Sequence, residues 1–217
     1  MPWILNIRSF LMADNSLQTL TETQIDALKE VGNIGAGHAA TALSQLIKKK
    51  IMISVPEVKV VMIKDIETLL GEPNTLVAGI IMNVLGDISS KIVLLLTRES
   101  ALSLVDMLLQ KPVGSTKVLS EVGNSAIKET GNILAGAYMN SLNEFLGLLL
   151  LPSVPNLVFD IASAILSSLS DGFDGMSNYL LSIETQFSEA NENVIKGYLL
   201  LIPDVPSVKV LLQAIKV

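Results

Sequence analysis

The sequence predicts an α+β fold, sandwich-like in its layering. An antiparallel sheet is covered by long helices, and the whole forms a pseudo-twofold internal repeat. Three observations predict it. The 217-residue chain meets itself when shifted by 99 positions, so that Glu30 falls on Glu129 and Asn33 on Asn132. Each half opens on a long pattern of helical period, LKEVGNIGAG from Leu28 and IKETGNILAG from Ile127. Each half then carries a pair of apolar, strand-like runs separated by a short polar turn.

The repeat is densest from Asp26 to Pro56. Over those 31 positions, 12 residues are identical to their counterparts from Ser125 to Pro155, among them Lys29, Glu30, Gly32, Asn33, Gly37, Leu43 and Pro56. The first helix is expected to start after Thr21. Thr21 and Gln24 have the spacing of a capping box, in which hydroxyl and amide each satisfy a loose backbone N–H. At 100° per residue with Asp26 at the origin, Glu30 lies near about 40° and Asn33 near about −20°, so the three share one face. The opposite stripe, Leu28, Val31, Gly35, Ala39, Ala42 and Leu46, is assigned to the core. In the second helix Ser125, Glu129 and Asn132 take one side. Ile127, Leu134, Tyr138 and Phe145 take the other.

After each helix and its Ser-Val-Pro comes a strand, EVKVVMI from Glu57 or NLVFDI from Asn156. The strand pairs are LVAGIIMNV with KIVLLLT, joined near Gly86-Asp87, and YLLSIETQF with VIKGYLLLI, joined near 191–193. Such short turns imply antiparallel pairing. Helices over Glu99–Gln110 and Val205–Ala214 close the halves. Ser168–Asn178 reads as a long inserted loop. The expected organisation is an N-terminal extension, 1–20, and one domain, 21–217, made of halves at about 21–114 and 115–217. Pro56 and Pro155 are expected to fix how the chain leaves the helix region for the sheet.

Composition narrows the function. Half of the residues are hydrophobic, yet the longest interior apolar run is Phe145–Leu151. That is far short of the roughly 20 residues of a membrane span, so no membrane insertion and a cytoplasmic location are expected. The N-terminal MPWILNIRSFLMA is apolar but interrupted by Arg8. There is no cysteine, and His38 is the single histidine, which removes thiolate and histidine-rich metal sites. His38 is read as structural, beside the core stripe. A formal charge of −6 disfavours nucleic acid as a partner. Lys48-Lys49-Lys50 is expected to face the negative end of the first helix dipole.

Glycine costs a helix about 1 kcal/mol relative to alanine, so Gly37 and Gly136, matched beside the Glu/Asn pairs, need a reason. Either something approaches the helix closely there, or another helix of the same chain packs against it. A nucleotide loop is excluded: the glycine spacing is wrong, the segment follows DALKEV rather than a strand, and no Gly-Lys-Ser/Thr follows. A Glu three residues before an Asn sets an anion beside a neutral amide, which can hold a water in line without reacting itself. With Asp26 included, the oxygen set still falls short of a magnesium site. Solvated helix faces carry the same residue types; the doubling favours a function but names no reaction.

The full pattern is Asp or Ser, three residues, Glu, two residues, Asn, twenty-two residues, Pro. It occurs as Asp26-Glu30-Asn33-Pro56 and Ser125-Glu129-Asn132-Pro155. This resembles the CheC/CheX/FliY family of bacterial chemotaxis phosphatases, over most of the chain from Thr21 onward. Two intact sites without a C-terminal flagellar-switch domain resemble its CheC branch. The resemblance implies hydrolysis of the aspartyl phosphate on the response regulator CheY. It assigns Asn33 and Asn132 to orient the attacking water, and Glu30 and Glu129 to anchor on the regulator's lysine. Asp26, Ser125, Gly37, Gly136, Pro56 and Pro155 would support them. The chain would have no cofactor of its own, since the phosphorylated partner brings Mg²⁺. The resemblance also implies the receptor deamidase CheD as a partner. The rival expectation is an adaptor that binds phospho-CheY and CheD with little or no turnover. A structural part of the flagellar switch is a third.

Overall fold

The computed structural model describes residues 17, 20–70, 74–170, 177–189 and 192–215. Helix α1 runs Glu22–Ile47 and is followed by strands β1 (Ile51–Ser54) and β2 (Val58–Met62). A 3-10 turn and the short α2 (Ile66–Leu70) lead to the hairpin β3 (Leu76–Gly86) and β4 (Ser90–Thr97), then α3 (Arg98–Leu108). The second half repeats this as α4 (Glu121–Leu146), β5 (Leu150–Pro152), β6 (Asn156–Ile161), α5 (Ala162–Ser170), β7 (Tyr179–Glu189), β8 (Glu192–Pro203) and α6 (Val205–Ala214).

The expected strands and closing helices are all present, and the sheet is antiparallel throughout. Sequence pattern alone misses four elements. β1 and β5 precede the prolines, so Pro56 and Pro155 each bend one sheet edge between two short strands rather than leading the chain into the sheet. α2 and α5 occupy the crossovers to the hairpins. Ser168, Leu169 and Ser170, expected in a loop, end α5; residues 171–176 of that stretch lie outside the described residues.

The eight strands form one sheet in the order β1-β7-β8-β4-β3-β5, with β2 also on β7 and β6 also on β3. Each half's short strands therefore pair with the other half's hairpin, and β4 pairs with β8 at the centre. Strand periodicity explains the near-continuous apolar runs of the central strands. Ile92, Leu94 and Leu96 of β4 join the core under α1, α3, α4 and α6, whereas Val93 and Leu95 face α2 and α5 on the other side. Gly86, at φ +127°, makes the β3 turn possible: a Cβ there would fall 2.0 Å from the carbonyl oxygen of Leu149. Leu17 is buried and lines a small apolar cavity with Leu20, Leu28 and Leu142.

α1 and α4 lie against each other. Gly35 is a point of close approach between them, where a Cβ would stand 3.1 Å from the Tyr138 Cα and 3.3 Å from the Ala137 carbonyl oxygen. The Tyr138 hydroxyl lies 3.3 Å from Thr185 Oγ1 inside the core, and burial, partly offset by that hydrogen bond, holds its pKa up at about 12. The Thr21–Gln24 capping box is formed, with both hydrogen bonds present. The lysine run behaves differently from expectation. Lys48 is itself the left-handed C-cap, and the Lys49 ammonium lies 3.0 Å from Glu189.

Asp106 of α3 is fully buried and organises the segment between the halves. It accepts hydrogen bonds from Ser115 Oγ (3.0 Å) and the Thr116 N–H (3.1 Å). Burial alone would raise its pKa, but the hydrogen bonds from Thr116, Ser115 and the Gly114 backbone outweigh it, and the pKa is lowered. A folded pKa below the unfolded value contributes stability at all pH above the unfolded pKa, and that stability is lost as pH falls through the folded value. Asp106→Asn should therefore melt well below the parent at pH 7. The difference should shrink as both are acidified through the carboxylate range, which thermal melts against pH would check.

Candidate functional site

The outward faces of α1 and α4 carry the residues singled out by the repeat. Asp26, Glu30, Asn33 and Gly37 are exposed on α1. Ser125, Glu129 and Asn132 are exposed on α4, and Gly136 is half-buried. The helices present these residues because their other sides are committed to the core. The buried stripe of α1 is Leu28, Val31, Gly32, Gly35, Ala36, Ala39, Leu43 and Ile47. It drifts round the helix relative to the expected stripe, so that Leu46 is 57% exposed and Ala42 only half-buried. In α4, Ile127, Leu134 and Tyr138 are buried as expected, and Phe145 is half-buried. His38 is exposed rather than set beside the core.

The two readings of Gly37 and Gly136 are separated by the packing. A Cβ at either would meet nothing within 4 Å, so neither admits a helix of this chain. Helix packing is served by Gly35, on the opposite face. What remains is a low, open step beside each Glu/Asn pair.

The polar groups differ between the halves. Asn33 Nδ2 donates to the Lys29 carbonyl (3.1 Å), and Asn33 Oδ1 accepts from the Val55 N–H (3.0 Å). Sequence reasoning did not find that second bond, although Val55 lies within the identical Ser-Val-Pro. Among the described residues, the Asn132 side chain has no hydrogen-bond partner, and neither Glu30 nor Glu129 is in an ion pair. Pro56 and Pro155 lie in the connectors between paired edge strands, next to Val55 and Val154 respectively. Asp26 and Ser125 do not cap the helices; Thr21 and Ser120 do.

Chemically, each face offers a Glu carboxylate and an Asn carboxamide one turn apart, beside a step, and α1 adds the Asp26 carboxylate one turn earlier. An exposed carboxylate suits a lysine ammonium, and an amide can give and take hydrogen bonds to a water. Among the described residues, no group of three or more His, Asp or Glu side chains gathers where a metal could sit. No helix among them is long and apolar enough to cross a membrane.

Comparison with known proteins matches the same segments. The CheC-like family pattern matches residues 24–60 and 122–159, which span both repeated motifs. The CheY-P phosphatase CheC of Bacillus subtilis (strain 168) is 31% identical over 199 residues, covering 90% of this chain and 95% of that one. The flagellar motor switch phosphatase FliY of the same organism is 30% identical over 125 residues, 57% of this chain and 32% of the relative. Among solved structures, FliY of Thermotoga maritima superposes with a TM-score of 0.72 at 22% identity, covering 91% of this chain and 98% of that chain. That likeness speaks for the fold.

Proposed function

The chain belongs to the CheC/CheX/FliY family of chemotaxis phosphatases, and from that premise we propose that it removes the phosphoryl group from the aspartate of phosphorylated CheY. The observation that carries the reading is the pairing of an exposed carboxylate and an exposed carboxamide beside an open glycine step, present on both long helices. The proposed unit is the whole pseudo-twofold domain from about residue 21, working in the cytoplasm with two sites.

Each helix face docks over the phosphorylated pocket of the receiver domain. Glu30 or Glu129 takes the receiver's lysine by a charge-assisted hydrogen bond and sets the register. Asn33 or Asn132 holds a water in line with the phosphorus. Water attacks phosphorus, the bond between phosphorus and the aspartyl oxygen breaks, and inorganic phosphate and the free carboxylate leave. Mg²⁺, which the receiver would bring, would supply charge neutralisation at the phosphoryl oxygens. Gly37 and Gly136 let the receiver come close, Asp26 and Ser125 border the contact one turn away, and Pro56 and Pro155 shape the connectors beside it.

The lifetime of phosphorylated CheY in Mg²⁺, measured with and without substoichiometric amounts of the protein, tests the proposal. Shortening is expected. An unchanged or longer lifetime with tight, phosphorylation-dependent binding would instead favour an adaptor for phospho-CheY and CheD.

A further inference from the structure

The two connectors of identical sequence, Ser54-Val55-Pro56 and Ser153-Val154-Pro155, are held in different places. Val55 is 2% exposed and Val154 is 88% exposed. In the first half the connector lies on the helix. A Cβ on Gly32 would rest 3.5 Å from the Val55 side chain, and the Val55 N–H reaches Asn33 Oδ1 at 3.0 Å. In the second half the connector is tied to the sheet: Ser153 exchanges hydrogen bonds with the Asn83 backbone through its N–H (2.8 Å) and its Oγ (3.0 Å). The helix position equivalent to Gly32, Gly131, meets Ile80 of β3 instead of the connector.

We propose that the Val55 connector is a latch on the first site. At rest the Asn33 amide is committed at both ends to its own chain, with Nδ2 on the Lys29 carbonyl and Oδ1 on the Val55 N–H. An amide so held points along its own helix and connector. To orient a water on a receiver's phosphoryl group it must first exchange the Val55 hydrogen bond for a partner across the interface. Among the described residues, Asn132 has no such bond to break. The two sites thus share their residues but differ in readiness, and the first opens only when docking moves Val55. The latch rests on the function proposed above.

The test removes one N–H. Val55→Pro deletes the donor while keeping an apolar ring of similar size, and the residue is already followed by Pro56. It is made in a chain carrying Asn132→Ala, so that only the first site acts. A net hydrogen bond of ordinary strength corresponds to roughly two- to tenfold in rate, so kcat/KM for phosphorylated CheY should rise by about that factor. An unchanged or lower value, with the wild-type chain active in the same assay, overturns the latch and makes the Val55 bond a support for Asn33. Inactivity of the wild-type chain itself would instead defeat the functional reading.

A second measurement avoids the substitution. Hydrogen exchange at the Val55 amide is followed in the Asn132→Ala chain, with and without a receiver domain activated by Mg²⁺ and beryllofluoride. The latch predicts faster exchange at Val55 in the complex. Equal or slower exchange contradicts it.

Discussion

Replacing Asn33 and Asn132 together with alanine should reduce the acceleration of phosphate loss from CheY by about 100-fold or more, leaving decay close to the receiver's own rate. Displacing the reacting atoms by about 1 Å costs about 10²-fold, and the amide is the group assigned to hold the water in line. Glu30 and Glu129 are carboxylates facing a phosphoryl group that is itself anionic, so they serve docking rather than water orientation. Folding should be nearly untouched in α4, where Asn132 is exposed and, among the described residues, has no hydrogen-bond partner. It should fall slightly in α1, where the Val55 N–H loses its acceptor, a bond worth about 1 kcal/mol. Circular dichroism and urea melts of the double variant separate loss of chemistry from loss of fold. Taken singly, Asn132→Ala should cost more activity than Asn33→Ala, because the resting Asn33 is tied to its own connector.

The largest structural effect is expected at Gly35. Gly35→Leu places a side chain against the Tyr138 Cα at 3.1 Å, the Tyr138 ring Cδ1 at 3.2 Å and the Ala137 carbonyl oxygen at 3.3 Å. Backbone cannot rotate aside, so α1 and α4 must separate. Overpacking of this kind costs about 3 kcal/mol, more than the roughly 1 kcal/mol that leaving glycine restores to a helix. Gly37→Ala, two residues away, should do the reverse. With nothing within 4 Å of its Cβ, it should stabilise the chain by about 1 kcal/mol. Urea midpoints moving in opposite directions for two neighbouring glycines would establish that the first is a packing residue and the second is not.

Much of this was legible in the chain because the physics is local. The Thr21–Gln24 box, the apolar strand run KIVLLLT and the outward placement of Glu30 and Asn33 each follow from a few adjacent residues, and all are present in the structure. What stayed hidden depends on the other half of the molecule. β1 and β5 are four and three residues long and are strands because β7 and β3 offer free edges beside them. The buried stripe of α1 drifts toward Leu43 and Ile47 because α4 and the sheet meet the helix on different sides, which a wheel drawn on one helix does not contain. The helical wheel placed Gly35 in the core stripe and Gly37 beside the Glu/Asn pair, but whether a helix of this chain packs on Gly37 is decided only by the open space around it. The same holds for Val55 and Val154. They are identical in sequence context, and the difference between them lies in where Asn83 and Asn33 happen to reach.

The measurement that bears most directly on the central claim is one progress curve. Phosphorylated CheY in tenfold excess over the protein is followed in Mg²⁺ until the phosphoryl group is gone. Complete loss is expected, many phosphates released for each chain, at an initial rate proportional to the amount of protein. Loss that stops at one phosphate per chain, or decay no faster than that of CheY alone, would contradict it.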